Sequence, residues 1–139
     1  SPIKEDVLLG EKFLCLRIHN QNSDDRVFKK DIDASYIQFH FCLKGDLDFI
    51  FNEGNYSLNL STNKFLILYN PKKDLPVNIN LKSNSIFISA LISINKFHKL
   101  FSQDGHKIDF LSGDNSNQKY YKELEINNSM LLVLNQMLI

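Results

Sequence analysis

The spacing of apolar runs is the feature that most limits how this chain can fold. From Phe13 to Ile92 the runs are short, and turn-forming residues separate them. They predict strands over 12–19, 26–32, 35–43, 47–52, 56–60, 64–69, 77–81 and 85–93. Connections this short leave no space for crossover helices between strands. The pattern therefore predicts an antiparallel sandwich or barrel rather than an α/β fold.

The pattern changes after Ile92. Ser93 is placed to cap a helix, because apolar residues recur at helical spacing over 94–101. Residues 102–118 are polar and predict a loop, and a second, strongly apolar helix begins near Asn127 or Asn128. We therefore predict one mainly β domain over 1–139, with a barrel at about 7–92 and a part with two helices at about 93–139.

The overall composition narrows the function classes. Sixteen basic residues balance sixteen acidic ones, so the chain lacks the positive surface that attracts phosphate backbones. No apolar run has the length of a membrane span, and the first residues do not have the pattern of a signal peptide, which predicts a cytoplasmic protein. Cys15 and Cys42 fall in predicted strands, and we expect both to be buried free thiols.

The strand at 35–43 has two faces of different character, because successive side chains of a strand point to opposite sides. One face is strongly apolar and consists of Ile37, Phe39, Phe41 and Leu43. The other face carries hydrogen-bonding groups but no full charge, and consists of Tyr36, Gln38, His40 and Cys42. The question is whether this second face is wet surface or the lining of an enclosed space.

Three stretches resemble the cupin barrel, and the whole chain resembles the N-terminal effector-sensing domain of AraC-type bacterial transcription regulators. The stretches are "YIQFHFCLKG", "FIFNEGNYSLNL" and "LILYNP", followed by the two predicted helices in the expected order. The resemblance implies a jelly-roll barrel that binds a small-molecule effector, and a homodimer. It also implies that DNA binding belongs to a C-terminal helix-turn-helix domain that these residues do not include.

The cupin resemblance also bears on metal binding. Gly45 matches a glycine of the cupin motif, and Gln38 stands where that motif has a metal-binding Glu, at a position that points into the barrel. The His-x-His pair expected upstream is absent, as is a His near Pro76. First-row metals need several imidazole, carboxylate or thiolate donors, so we expect neither a metal nor another cofactor. The apolar face of the strand at 35–43 should then point outwards. We expect residues of the helical part, including Phe97, to cover it.

These arguments give a set of candidate ligand-binding residues. Four are on the inward face and three are expected at the rim: Tyr36, Gln38, His40 and Cys42, then Asn52, Tyr56 and Tyr69. For His40 the alternative is a core histidine with an internal hydrogen-bond partner. We expect Gln38→Ala with His40→Ala to abolish effector response and leave folding largely intact. A strongly charged effector is not expected unless Lys44 or Arg26 reaches the barrel mouth.

The last helix is the candidate dimer interface. Its apolar residues cover much of its girth, so one face can pack on the barrel while another meets a second chain. The residues concerned are Met130, Leu131, Leu134, Met137 and Leu138. Burial of the whole helix within one chain is the alternative.

Two other functions remain open at this point. One is a stand-alone, metal-independent cupin enzyme acting on a sugar-like substrate, for which His40 and Tyr36 are the candidate acid and base. The other is a dimerising scaffold without a ligand, whose barrel is filled by phenylalanines. The candidates for that filling are Phe49, Phe51, Phe65 and Phe87. The sensing domain is the prediction that we carry forward, with no enzymatic activity.

Overall fold

Ten strands, two α-helices and a short 3₁₀ helix at Asn52–Gly54 make up the described part of the chain. The computed structural model describes residues 4–10, 12–102 and 119–136, and among these the side chains of 12–99 and 119–132. The elements are β1 Lys4–Gly10, β2 Phe13–His19, β3 Arg26–Lys30, β4 Tyr36–Lys44, β5 Asp46–Phe51, β6 Tyr56–Ser61, β7 Lys64–Tyr69, β8 Val77–Leu81, β9 Ile86–Ser93, α1 Ile94–Ser102, β10 Tyr120–Glu125 and α2 Asn128–Gln136. The eight predicted strands are confirmed with small shifts of their ends.

The strands form two antiparallel sheets. The larger has the order β1-β2-β9-β4-β7-β10, and the smaller has the order β3-β8-β5-β6. The predicted antiparallel jelly-roll fold is confirmed. The described strands of the two sheets are not joined into one continuous ladder, so the fold is a sandwich rather than a closed barrel.

Two strands lie where the sequence did not indicate one. β1 pairs with β2 at one edge of the larger sheet, and β10 pairs with β7 at the other. The sequence of β10, "YYKELE", has three charged residues in six, and the residues it pairs with lie 51 to 61 positions earlier in the chain. The part predicted to be helical therefore also contains an edge strand.

The apolar side chains separate into an inner core and an outer cluster. The inner core lies between the sheets and includes Leu16, Leu47, Phe49, Ile79 and Phe87. The outer cluster lies on the other face of the larger sheet and includes Ile37, Phe65, Ile67, Tyr69 and Phe97, with Tyr120, Leu124, Ile126 and Met130 packed against it. The apolar face of β4 is covered as predicted, since the rings of Phe39 and Phe97 stack with centroids 6.2 Å apart.

Both helices begin where the sequence indicated. The Ser93 hydroxyl oxygen accepts a hydrogen bond from the Lys96 backbone N–H at 3.1 Å, and Asn127 Oδ1 accepts one from Met130 N–H at 2.8 Å. Neither α1 nor α2, as far as they are described, is long and apolar enough to cross a membrane.

Candidate functional site

The inward face of β4 is filled by a closed hydrogen-bond chain. Gln38 Nε2 donates to the Leu75 carbonyl oxygen at 2.7 Å, and Gln38 Oε1 lies 2.8 Å from His40 Nε2. Because an amide oxygen only accepts, His40 Nε2 carries the proton and Nδ1 is free to accept. The Ser89 hydroxyl lies 2.5 Å from Nδ1 and donates to it. Both ring nitrogens of His40 are thus satisfied inside the protein.

The surroundings of His40 keep the imidazole neutral. The ring has no exposed surface and lies against Phe49 and Phe87, with centroids 4.8 and 6.4 Å away. Burial lowers the pKa of His40 to about 3, because a charged imidazolium would lose its hydration. This is the core-histidine alternative, and the predicted inward orientation of Gln38, His40 and Cys42 is confirmed.

Cys42 completes the buried row on this face. Its thiol donates to the Gly45 carbonyl oxygen at 3.4 Å, and burial raises its pKa to about 11. Cys42 and Cys15 are both buried and free, as expected. Tyr36 is half-buried, and its aromatic ring packs against the inner core. None of the four predicted inward residues lines the cavity described next.

A cavity of about 1000 Å³ is lined by residues of both sheets, including β7 and β10 of the larger and β5 and β6 of the smaller, and by the connections at 52–54 and 70–76. Its floor is apolar and consists of Phe51, Leu58, Leu66, Leu68 and Leu75. All five of these side chains belong to the inner core or pack against it, so the cavity continues the space between the sheets. A concave apolar floor of this size is typical of a small-molecule site.

Polar and charged side chains surround that floor. Four lysines and three carboxylates line the cavity: Lys29, Lys73, Lys119 and Lys122, with Glu53, Asp74 and Glu123. Lys73 Nζ donates to Asn52 Oδ1 at 3.1 Å, and Asn70 Nδ2 donates to the Tyr121 hydroxyl oxygen at 3.0 Å. Neither Lys44 nor Arg26 is part of this lining, so the charged groups at the mouth are ones that the sequence did not single out.

The cavity also extends to the outer face of the smaller sheet. Ile50 and Asn78 line it, yet each alternates with core residues of its strand and so points away from the inner core. The side-chain oxygen Oδ1 of Asn78 is buried and has no hydrogen-bond donor among the described residues. A bound molecule with a hydroxyl or amide group would supply one.

The predicted rim residues have different outcomes. Asn52 and Tyr56 both line the cavity. Tyr69 does not, because it alternates with the inward-facing Leu68 and lies buried in the outer cluster. Phe65 faces the same way, so it does not fill the interior as the scaffold alternative expected, whereas Phe49 and Phe87 do. Binding of a ligand by any of these residues stays a prediction.

Sequence reasoning missed most of the cavity lining, and two signals could have found part of it. The alternation of β6 and β7 places Leu58, Leu66 and Leu68 inwards near the sheet edge. The alternation of "YYKELE" would have placed Tyr121 and Glu123 on one face, had the stretch been identified as a strand. The lysines gave no comparable signal, because isolated lysines are usual on any surface.

The residues at the cupin metal positions do not fit a metal. Gln38 offers a neutral amide that is already bonded to Leu75 and His40. In the described part of the chain, no three His, Cys, Asp or Glu side chains are grouped so that they could hold an ion. The arrangement therefore serves packing rather than coordination.

The predicted dimer-interface residues lie only partly within the described structure. Met130 packs against the outer cluster and Leu131 is half-buried, while the neighbouring Leu132 is 68% exposed. The side chain of Leu134, and all of Met137 and Leu138, lie outside the described residues.

Solved structures share this architecture. ToxT from Vibrio cholerae aligns with 92% of this chain at 17% identity and a TM-score of 0.56, and a second ToxT structure, from strain O395, aligns with 91% at 13% identity and 0.53. This chain spans 47% and 44% of those two chains, which is less than half of their length. An RmlC-like cupin protein from Desulfovibrio desulfuricans aligns with 65% of this chain and 81% of its own, at 8% identity and a TM-score of 0.50.

Comparisons of sequence alone give no relative. No protein-family profile matches the chain, and no curated protein matches it. At the identities given above, the structural matches are evidence for the fold and not for a shared activity. The two-sheet sandwich, its strand pairing and these matches together show that the chain has a cupin-like jelly-roll fold.

Proposed function

We propose that this chain is the effector-sensing domain of an AraC-type transcription regulator. It would bind a small molecule in the cavity described above, dimerise, and signal to a helix-turn-helix DNA-binding domain outside these 139 residues. It would act in the cytoplasm and catalyse no reaction. The observation that carries the proposal is the cavity itself, with an apolar floor and a rim of hydrogen-bonding and charged groups.

The structural matches support a regulatory role over other uses of the cupin fold. ToxT is an AraC-family protein, and its match covers nearly the whole of this chain, including the part that follows the sandwich. The cupin protein from Desulfovibrio desulfuricans matches only about two thirds of the chain. The fit therefore covers more of this chain in the regulator than in the other protein.

The environment of His40 supports the absence of enzymatic chemistry. A general base must reach its substrate and must hold a proton near working pH. His40 has no exposed surface, and both of its ring nitrogens are engaged by Gln38 and Ser89. The two changes suggested by the sequence, Gln38→Ala and His40→Ala, would leave buried groups without partners, so they would test the fold rather than the effector site.

The proposed mechanism is a shift between two arrangements of the domain. An effector that fits one arrangement better raises its population, and the population governs how the DNA-binding domain is presented. Tight binding alone is not enough, because a ligand with equal affinity for both arrangements shifts nothing.

The first test is native mass spectrometry of the purified protein, with metal analysis of the same sample. A small molecule that remains bound to a metal-free chain would support the proposal and give the chemical class of the effector. A stoichiometric transition metal would contradict it and favour an enzyme.

A pair of tryptophan variants then locates the site. Leu58→Trp adds bulk to the cavity floor, whereas Val27→Trp adds the same side chain to a position on the same sheet that is 58% exposed. We expect the thermal shift caused by the identified molecule, or by a hit from a metabolite panel, to be lost in Leu58→Trp and kept in Val27→Trp. Equal shifts in both variants would exclude this cavity as the site.

A ligand-free dimerising scaffold is the second candidate function. The closed hydrogen-bond chain around His40 favours it, because that chain fills the part of the interior where cupins hold their ligands. A chain that carries no small molecule, gains no thermal stability from any panel compound and still dimerises would support the scaffold.

A further inference from the structure

The two faces of β10 belong to different parts of the molecule. Lys122 is part of the cavity lining, as are Tyr121 and Glu123, which share one face of β10. Tyr120 and Leu124, which alternate with them, pack against the outer cluster on the opposite face of the sheet. A change in the cavity that moves this strand therefore also moves the side chains that it packs against the outer cluster.

A short, well-anchored connection joins β10 to α2. Only Ile126 and Asn127 separate the two elements. The Ile126 N–H donates to the Asn63 carbonyl oxygen at 2.8 Å, and the Asn127 side chain caps the helix. Ile126 and Met130 both pack against the outer cluster. With two fixed residues between them, the strand and the helix cannot shift independently by more than a small amount.

β10 lies at an edge of the larger sheet, where a strand is held less firmly than at the centre. As an edge strand it is hydrogen-bonded on one side only, to β7, whereas the central strands are held on both sides. One of its side-chain contacts is the hydrogen bond that the Tyr121 hydroxyl oxygen accepts from Asn70 Nδ2, just beyond the end of β7, at 3.0 Å and exposed to solvent. A ligand that occupies the cavity must therefore compete with or add to contacts that are easily rearranged.

We propose that β10 transmits occupancy of the cavity to α2. A ligand that contacts Tyr121 and Glu123 changes how β10 lies against β7, and α2 follows because it is joined to β10 and seated on the same outer cluster. The proposal rests on the proposed function, for which it names the moving element. It requires the ligand to favour one position of β10 over the other.

Two tyrosines give a test that needs no ligand. Tyr121 and Tyr56 both line the cavity and have similar exposure, 49% and 56%, but Tyr56 lies on β6 in the other sheet. We expect Tyr121→Ala to raise the hydrogen-exchange rate of amides in 126–132 by roughly fivefold to tenfold. Tyr56→Ala should leave that segment unchanged. The measurement is hydrogen-exchange mass spectrometry on the 139-residue chain.

Two outcomes would overturn the coupling. One is faster exchange in β10 of Tyr121→Ala with no change in 126–132, which would mean that the strand moves alone. The other is an equal effect of Tyr56→Ala, which would mean that the whole edge loosens. Tyr121→Phe separates the hydroxyl from the ring, since it removes only the bond to Asn70.

A ligand experiment distinguishes failure of the coupling from failure of the sensing function. The probe is 1-anilinonaphthalene-8-sulfonate, an apolar fluorophore with an anionic group, and its site is checked with Leu58→Trp and Val27→Trp. If the probe binds in the cavity, we expect altered exchange in 126–132 of the wild-type chain. Binding without that change would refute the coupling and leave the cavity as a ligand site. If the probe does not bind, the tyrosine pair alone decides the coupling.

Discussion

His40 couples the stability of the protein to pH. Its pKa is about 3 in the folded chain and about 6.5 in an unfolded one, so below pH 6.5 the unfolded state binds the extra proton. The contribution is therefore fully present above pH 6.5 and is lost as the pH falls towards 3. We expect the free energy of unfolding to fall by about 2 kcal/mol between pH 7 and pH 5 on account of this residue.

Urea unfolding at the two pH values measures this loss. His40→Gln keeps a hydrogen-bonding side chain but cannot be protonated, so its stability should fall less over the same interval than that of the wild-type chain. Other titrating groups are common to both proteins and cancel in the comparison. Equal losses would mean that the imidazole is not held neutral.

At the residue scale, the sequence predicted which way side chains point but not which hydrogen-bond partners they meet. The alternation of β4 was enough to place Gln38 and His40 inside, because the pleat of a strand allows only two directions. It could not show that Ser89, 49 residues later, would satisfy the imidazole. Whether an inward polar residue meets a ligand or a partner depends on strand register, which a single sequence does not give.

The turn from β4 to β5 depends on a glycine. Gly45 has φ +76°, and a Cβ atom at this position would lie 2.2 Å from the Ser85 hydroxyl oxygen. That hydroxyl bonds both the N–H and the carbonyl of Asp46, so it has little freedom to move away. We expect Gly45→Ala to destabilise the protein by about 3 kcal/mol or more in urea unfolding.

Gly54 is the matched control for this change. It also has a positive φ, +95°, but a Cβ atom there would meet nothing within 4 Å. Gly54→Ala should therefore show the backbone strain alone, about 1–2 kcal/mol. If the two variants lose the same stability, the contact with Ser85 does not hold this turn.

The second helix carries the prediction about dimerisation. Leu132 is 68% exposed while Met130, two residues earlier, packs against the outer cluster, so α2 presents an apolar side chain away from its own chain. If α2 forms the dimer interface, Leu132→Lys should raise the dimer dissociation constant by about tenfold or more. Sedimentation equilibrium measures this, and Val27→Lys on β3 is the control at a similarly exposed site. A dimer that tolerates Leu132→Lys must use another surface.

At the element scale, the pattern of apolar residues predicted the strands that have two apolar faces, and also those that have one apolar and one polar face. It failed for β10, where Lys122, Glu123 and Glu125 reduce the apolar signal. Such a strand is held in place by its ladder with β7 and by two inserted side chains, Tyr120 and Leu124. Tertiary pairing therefore determined this element more than local preference did.

The molecule as a whole has two separate apolar centres, and they should unfold differently. Phe49 lies in the inner core between the sheets, whereas Phe97 joins α1 to the outer cluster. We expect Phe49→Ala to lower the global free energy of unfolding by about 3–5 kcal/mol. Phe97→Ala should instead raise hydrogen exchange in α1 first, because a helix can detach while the sandwich stays folded. Uniformly faster exchange in both variants would indicate a single cooperative unit.

At the scale of the whole molecule, the sequence predicted the sandwich and the helices but not the cavity. Strand spacing and alternation determine a two-layer antiparallel fold almost independently of detail. The cavity is lined by residues from distant parts of the chain such as Phe51, Leu68 and Lys119. A space enclosed by such distant segments has no signature in local sequence.

The two cysteines sit in different layers, and this gives the folded protein two chemical reporters. Cys42 lies in the inner core, whereas Cys15 points to the other face of the larger sheet, beside Ile88 and close to Ile126. The strands that carry them, β4 and β2, are separated by β9, roughly 10 Å apart, so oxidation cannot join the thiols in the native fold. Alkylation of Cys15 would therefore record the moment when the connection to α2 lifts from the sheet. Alkylation of Cys42 would record only the opening of the sandwich itself.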